Sequence, residues 1–367
     1  MPSRNKLVWA VLCYRAGENS QILALAEALG LPFEVKRLVY RPGGRLVDVW
    51  RGANLLGIDR KRSSPLEPPW PKLVISAGMR NEPVCRWIVK QSQGKTCYVH
   101  IGKPWGKLAN FDLVITTPEY PIPDAPNVVR NRTSLHWVTP ERLAQAARIW
   151  RPKFSHLPKP WIAVLVGGYG GPYALDPENA RRLGQEAQAM AHRLGGSLLV
   201  TTSARTSKRA AEALCAAIEA PCFFYRWLPE DEANPYFAFL ALAERFIVTC
   251  DSATMIAEAT ATGKRVYLFD LNSPAASFAG ACRRLLQLDR VRAFLYRKLM
   301  WGLAPRRITR DIRVVHRFLL ASGRAVWLGQ EFAREPPPPL DERPATVARV
   351  YALLEVEPGA GKKKQQV

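Results

Sequence analysis

Five short segments gather the residues that can hold an anion or move a proton. The first is CYRAGENSQ, residues 13–21, with Gly17, Glu18, Asn19 and Gln21. An apolar run leads straight into it, so a strand delivers it and a helix leaves it. Gly17 permits a tight turn there. Asn19 or Ser20 can cap the following helix, whose first N–H groups favour an anion. Glu18 places a carboxylate beside that position and is the candidate catalytic base. The second segment, SAGMRNEP at 76–83, repeats the arrangement. Gly78 follows a buried-type strand, Arg80 can hold a phosphate or carboxylate, and Asn81 can cap. Gly17, Asn19, Gln21, Gly78, Arg80 and Asn81 form the candidate substrate-binding set.

The third segment, VGGYGGPY at 166–173, offers Gly167, Gly168 and Gly170. Residues without a side chain let a backbone come close to a phosphate. The spacing is neither that of a dinucleotide fingerprint nor that of a P-loop, and a hinge is the plainer structural reading. The fourth, TTSARTSKR at 201–209, combines Thr202, Ser203, Arg205 and Thr206. Hydroxyls, backbone N–H groups and a guanidinium make an anion pocket. A simple helix cap accounts for Thr206 or Ser207 but not for the rest. In the fifth, TCDSATMIAEATATGKRVYLF at 249–269, Asp251 or Ser252 can cap a helix carrying Thr254, Met255 and Glu258. Glu258 lies nearly two turns in. It reaches a ribose diol only if that helix points into a cleft, and a solvated outer-face Glu is the plainer reading. Together these residues are the candidate nucleotide-binding set.

Other candidates are weaker. His100 and His136 have no serine or cysteine partner at a known catalytic spacing. Glu119 and Asp124 lie in a loop stiffened by prolines. The seven cysteines are scattered through apolar runs, without metal-ligand spacing. No paired carboxylate motif calls for a divalent metal, so no metal site and no obligatory cofactor are expected.

The elements that must position these loops alternate. Apolar runs at 7–13, 34–39, 73–76, 96–100, 113–116, 161–166, 197–201, 222–225, 246–249 and 265–269 read as strands. Helix-like pieces at 20–29, 82–91, 140–150, 177–194, 207–218, 235–243 and 253–262 separate many of them, and 46–56 reads as a further short helix. Such alternation predicts an α/β fold with parallel sheets covered by helices on both faces. The proline-rich stretch 151–160 reads as a linker between two Rossmann-like domains, 1–150 and 161–335, facing a cleft. Residues 336–357 read as a return segment, with 347–355 as a final helix, and 358–367 as a disordered basic tail.

The 367 residues carry 53 Lys and Arg against 31 Asp and Glu, a net charge of +22. That balance suits an anionic partner: phosphorylated small molecules, membrane lipid or nucleic acid. No aromatic-basic recognition module or reading helix is present, so no specific nucleic acid is expected. The basic segment 283–317 interleaves Leu285, Phe294, Met300 and Trp301 with Arg and Lys, a pattern suited to an anionic membrane surface. The N-terminal apolar run is too short and wrongly flanked for a signal peptide, and no run is long enough to span a bilayer. A cytoplasmic protein, peripheral on the inner face of a membrane, is expected.

The fifth segment resembles the donor-binding helix of glycosyltransferases with two facing Rossmann-like domains (the GT-B type) and of sugar-nucleotide 2-epimerases. That likeness implies donor phosphate at Ser252 and Thr254 and ribose at Glu258. The chain as a whole resembles the ELM1-like family. The resemblance rests on AGENSQILALAEALG at 16–30, SAGMRN at 76–81, FDLVITTPEY at 111–120 and NVVRNRTSLHWVT at 127–139. It continues with VLVGG at 164–168, TTSART at 201–206 and DSATMIAEATATGKRVYL at 251–268. It implies metal-independent transfer of a sugar from a nucleotide-sugar to an envelope or lipid-linked glycan acceptor, as in lipopolysaccharide biosynthesis. A sugar-nucleotide epimerase and a non-enzymatic, membrane-associated adaptor of the fission-protein type are the alternatives.

Overall fold

A computed structural model describes residues 7–42, 52–170, 173–229, 231, 233–271 and 310–355. Its contacts divide the chain into two compact units, Met1–Trp137 with Asp341–Val367, and Val138–Leu340.

The first unit holds a six-stranded sheet in the order β2-β1-β3-β4-β5-β6. The strands are β1 (Val8–Leu12), β2 (Phe33–Arg37), β3 (Leu73–Ala77), β4 (Cys97–Ile101), β5 (Leu113–Thr116) and β6 (Val128–Arg130). All pair in parallel. Every residue of β1, β3, β4 and β5 is buried, because helices cover both faces of a parallel sheet and leave no face to water. Hence these strands are near-continuous apolar runs instead of alternating, and their few polar residues, Ser76, His100 and Thr116, are buried. α1 (Ala16–Ala28) and α2 (Glu82–Gln91) follow β1 and β3. Ile22 and Leu25 of α1 join the core on one side of the sheet, and Val84 and Ile88 of α2 the core on the other.

The second unit repeats the plan in the order β12-β11-β10-β7-β8-β9, again all parallel. Its strands are β7 (Trp161–Leu165), β8 (Ser197–Thr201), β9 (Cys222–Tyr225), β10 (Arg245–Thr249), β11 (Arg265–Phe269) and β12 (Val326–Trp327). Its helices are α3 (Pro140–Trp150), α4 (Pro177–Leu194), α5 (Lys208–Cys215), α6 (Tyr236–Leu242), α7 (Ala253–Thr260) and α8 (Arg313–Ala321). Local sequence starts and stops them. Asp176 accepts from the N–H groups of Glu178 and Asn179, both at 2.9 Å, at the head of α4, and Gly195 at φ 63° ends that helix. Thr139 and Ser207 cap α3 and α5 in the same way.

The last helix, α9 (Arg343–Glu355), belongs to the first unit. Val350 is buried in that unit's core, and Asn131 donates to Thr346 at 3.1 Å. Glu342, just before α9, accepts from the backbone N–H groups of Arg132 and Thr133.

The two parallel α/β sheets are those expected from the alternation of apolar runs. The stretch 151–160 is not a free linker. Its prolines shape a short 3₁₀ turn at Pro152–Phe154, and the Phe154 side chain is fully buried. That ring meets those of Trp150, Trp161, Phe223 and Phe239, with centroids 5.1–6.0 Å away. The stretch and α3 are therefore part of the second unit, and the boundary falls between Trp137 and Val138. β6, β12 and α8 add to the elements that the apolar runs predict. Residues 43–51, most of 283–317 and the tail 358–367 lie outside the described residues, and with them most of the membrane-facing segment and the first part of the short helix expected at 46–56; the described part of that helix, residues 52–56, is bends and turn, not helix.

Candidate functional site

An open parallel sheet binds ligands beyond the carboxyl ends of its strands, where successive connections leave in opposite directions. In the second unit that point lies between β7 and β10, since the chain runs outward from β7 through β8 and β9, then returns to β10 and continues to β11. The glycine loop follows β7, the Ser/Thr loop follows the adjacent β8, and Asp251 follows β10. Three of the five sequence segments thus meet at one sheet edge.

Their side chains are tightly interlocked. Arg205 Nη1 lies 2.6 Å from Asp251 Oδ2 and donates to the Tyr169 carbonyl at 3.2 Å. The Asp251 side chain has no exposed surface, whereas that of Arg205 is 38% exposed. The Gly168 N–H donates to the same Asp251 oxygen at 3.0 Å, and the Gly167 N–H to Thr249 Oγ1 at 2.8 Å. Ser203 donates its hydroxyl to the Gly167 carbonyl at 2.8 Å, and Thr206 donates to that carbonyl as well.

The packing places its own demand on the glycines. A Cβ on Gly167 would strike both Asp251 carboxylate oxygens, and one on Gly168 the Arg205 backbone carbonyl. A Cβ on Gly170 would stand 2.6 Å from Arg205 Nη1. In this structure the small residues make room for the Arg205–Asp251 pair. Thr202 is buried, and its hydroxyl accepts from the Trp227 N–H at 2.9 Å, which makes it a structural joint between loops. Neither expected cap forms on α7: Asp251 turns to Arg205, and Ser252 makes no side-chain capping bond. Thr254 and Met255 are half-buried in the first turn of α7.

Glu258 is not a solvated outer-face residue. It is 4% exposed and accepts the hydroxyl of Tyr236 on α6. Burial pushes its carboxyl up to about 7, against the opposing pull of the Tyr236 hydroxyl. Burial and the Glu258 charge push the Tyr236 hydroxyl up.

In the first unit the corresponding point lies between β1 and β3. The loops after these strands are the first two segments, and the structure brings them together. Glu18 Oε2 accepts the Cys13 thiol at 3.0 Å, while Oε1 lies 3.2 Å from Arg15 Nη1. Gly78, at φ +80°, has no Cβ to collide with that carboxylate; one would stand 2.7 Å from Oε2. Burial, then the Glu18 charge, pushes the Cys13 thiol up, so it serves Glu18 as a neutral donor.

The local geometry differs from the expected turn and cap. α1 begins at Ala16, so Gly17 is helical and Glu18 sits in the first turn, where the helix dipole favours a carboxylate. Asn19 folds back onto Cys13 instead of capping, accepting from its N–H at 2.7 Å and donating to its carbonyl at 2.9 Å. Gln21 donates to the Gly17 carbonyl at 3.3 Å. Asn81 caps nothing. It is wholly buried, donates to Val11 O and Ser76 Oγ, and accepts from the Tyr40 hydroxyl. It ties β1, β3 and the segment after β2 together instead of facing a substrate. Arg80 donates to the carbonyls of Arg41 and Gly57, and its guanidinium lies 4.4 Å from the Tyr40 ring centroid.

His100 and His136 are core residues. Burial lowers each to about 4, which leaves them neutral. His100 bonds Tyr98 Oη at 2.8 Å. Glu119 is buried and accepts from Thr117, and Asp124 pairs with Arg130 at 3.0 Å. Sequence reasoning missed Cys13, Thr249 and Tyr236. The first two stand where a strand gives way to its loop, which is a usable signal. Tyr236 gave none, because only packing sets it against Glu258. Among the described residues no group of three His, Cys, Asp or Glu is placed to hold a metal ion. Among them, too, no helix is long and apolar enough to cross a membrane.

A family model described as mitochondrial fission ELM1 matches residues 16–353. The mitochondrial fission protein ELM1 of Arabidopsis thaliana is 26% identical over 266 residues, 66% of this chain. That match spans 61% of the plant protein, less than two thirds of its length. Solved structures with a remote likeness include MurG of Acinetobacter baumannii, at 14% identity and TM-score 0.39, covering 94% of this chain and 99% of that one. The UDP-GlcNAc 2-epimerase of Methanocaldococcus jannaschii gives 10% and 0.42, with coverages of 86% and 98%. The ADP-heptose lps heptosyltransferase II of E. coli gives 10% and 0.41, with coverages of 71% and 84%.

Proposed function

The chain belongs to the mitochondrial fission ELM1 family, and on that premise we propose that it transfers a sugar from a nucleotide-sugar to an envelope or lipid-linked glycan acceptor. The observation that carries the donor side is the meeting of the glycine loop, Arg205 and the start of α7 at the β7–β10 point. A cation and the N-terminus of a helix at a sheet's ligand-binding edge suit a diphosphate and offset its charge on departure without a metal. Gly167, Gly168, Gly170, Ser203, Thr206, Ser252, Thr254 and Met255 line that position, with Glu258 on the ribose side. In the transfer the acceptor oxygen bonds the anomeric carbon, and the bond from that carbon to the diphosphate oxygen breaks with its electron pair on the diphosphate. Glu18 takes the acceptor's hydroxyl proton. The basic segment 283–317 would hold the protein on the cytoplasmic face of an anionic membrane.

A second reading, a non-enzymatic membrane-associated adaptor, is favoured by one feature. Arg205 and Glu258 both have internal partners, Asp251 and Tyr236. Thermal-shift measurements with nucleoside diphosphates and nucleotide-sugars, followed by assay with labelled donor and a lipid extract, separate the readings. Protection with a labelled lipid or glycan product supports transfer. Donor turnover without an acceptor product indicates an epimerase. A folded protein that no nucleotide protects overturns both and leaves the adaptor.

A further inference from the structure

The Cys13 thiol stands between two oxygens. The Arg15 carbonyl lies 3.6 Å from Sγ, and Glu18 Oε2 lies 3.0 Å away. The nearer, charged oxygen takes the hydrogen bond, because a carboxylate only accepts and a charge-assisted bond is roughly twice as strong as a neutral one. The sulfur in turn accepts the Arg15 N–H at 3.3 Å, which polarises the S–H bond further. The contact is fixed on several sides. Asn19 ties both backbone groups of Cys13 to α1, at 2.7 and 2.9 Å. Cys13 is only 8% exposed, and burial keeps its thiol in the neutral, donating form. Gly78 leaves the space that Oε2 fills, where a Cβ would stand 2.7 Å away. The other oxygen, Oε1, has a looser partner. Arg15 is 3.2 Å from it, with a side chain 58% exposed, and an exposed ion pair of that kind contributes little and is readily exchanged.

We propose that Cys13 is a positioning residue for Glu18: its thiol holds Oε2 in place and leaves Oε1 as the oxygen that takes the proton of the glycan hydroxyl. This deepens the transfer reading above and rests on it. In the step the proton passes from that hydroxyl to Oε1. The electron pair it leaves behind forms the new bond to the anomeric carbon, and the thiol keeps its own proton on sulfur. Losing the thiol has two opposed effects. A carboxylate with one donor fewer is a somewhat stronger base, which raises the rate by only a small factor under Brønsted behaviour. A carboxylate free to rotate misplaces the reacting oxygen, and a displacement of about 1 Å costs on the order of 10²-fold. Orientation therefore dominates, and the rate falls.

Infrared difference spectroscopy on the full chain reads the contact directly. Subtracting the Cys13→Ala spectrum from that of wild type isolates the Cys13 S–H stretch. A bond to a carboxylate should place it at lower frequency than the other thiols, and Glu18→Gln, an amide of the same shape, should move it upward. Transfer of labelled sugar to a lipid extract supplies the second measurement. Cys13→Ala should lower kcat by on the order of tenfold to a hundredfold with KM for the donor unchanged. Cys13→Ser keeps a donor and should restore most of the rate. An S–H band that ignores Glu18→Gln overturns the proposal, as does an alanine variant with wild-type kcat or a serine variant as slow as alanine. Should the alanine variant not fold, Cys13→Val fills the position without a donor, and the spectrum of wild type minus Glu18→Gln decides by itself whether the band moves. Any of these adverse results with sugar transfer intact in wild type removes the positioning role alone. A wild type that transfers no sugar removes the base role of Glu18 and the positioning role together.

Discussion

Tyr236 donates its hydroxyl to the Glu258 carboxylate, joining α6 to α7 across 22 residues of chain. Burial raises the folded-state value of Glu258 from an ordinary 4.5 to about 7. Between those values the folded protein binds more protons than the unfolded chain, so this group makes stability fall as pH rises through the window. Glu258→Gln should remove that slope, and its stability relative to wild type should increase from the low to the high end. Tyr236→Phe withdraws the donor and should move the titration upward. Urea unfolding at a series of pH values checks both.

Gly168 and Gly30 test two different demands for glycine. At Gly168 a methyl group meets the Arg205 backbone, which cannot swing aside. Gly168→Ala should lower stability by about 1–3 kcal/mol through overpacking. Gly30 has φ +61° and open space around it, so Gly30→Ala should cost only about 1 kcal/mol of backbone strain. Thermal denaturation ranks the two, and the reverse order would contradict the close approach of the Arg205 backbone to Gly168.

Phe154→Ala should remove about 3–5 kcal/mol from the second unit, the usual range for a buried aromatic. A flexible linker residue would show almost no loss. Chemical denaturation followed by tryptophan fluorescence reports on Trp150 and Trp161, both beside the ring.

Glu18→Gln should reduce sugar transfer by on the order of 10²–10⁴, as for loss of a general base, while nucleotide protection in a thermal shift stays at the wild-type level. Equal loss of both would place Glu18 in ligand binding and not in proton transfer.

The order of strands and helices was legible because strands buried on both faces are largely apolar, as Leu73–Ala77 is apart from Ser76 and Trp161–Leu165 is throughout. The ends of elements were less so. Gly17 reads as a turn, yet Asn19 clips the preceding loop and lets α1 begin at Ala16. Prolines at 152, 158 and 160 read as a spacer, although the phenylalanine among them anchors an aromatic cluster. The five loops were found from residue type and their place after strands. Their internal pairings were not, since Arg205 and Asp251 stand 46 residues apart and only the neighbouring of β7, β8 and β10 brings them together. Asn81 shows the opposite limit. Its polarity suggested a ligand, but three internal partners consume it.

The position of α9 also orders the events of synthesis. The second unit is one continuous stretch, whereas the core of the first includes Val350, and Asn131 finds Thr346 only across 215 residues. On the ribosome the first sheet must therefore wait, with the face that α1 covers still lacking Val350 and the rest of α9, while everything between is made. It is the second unit, although translated later, that can first become complete.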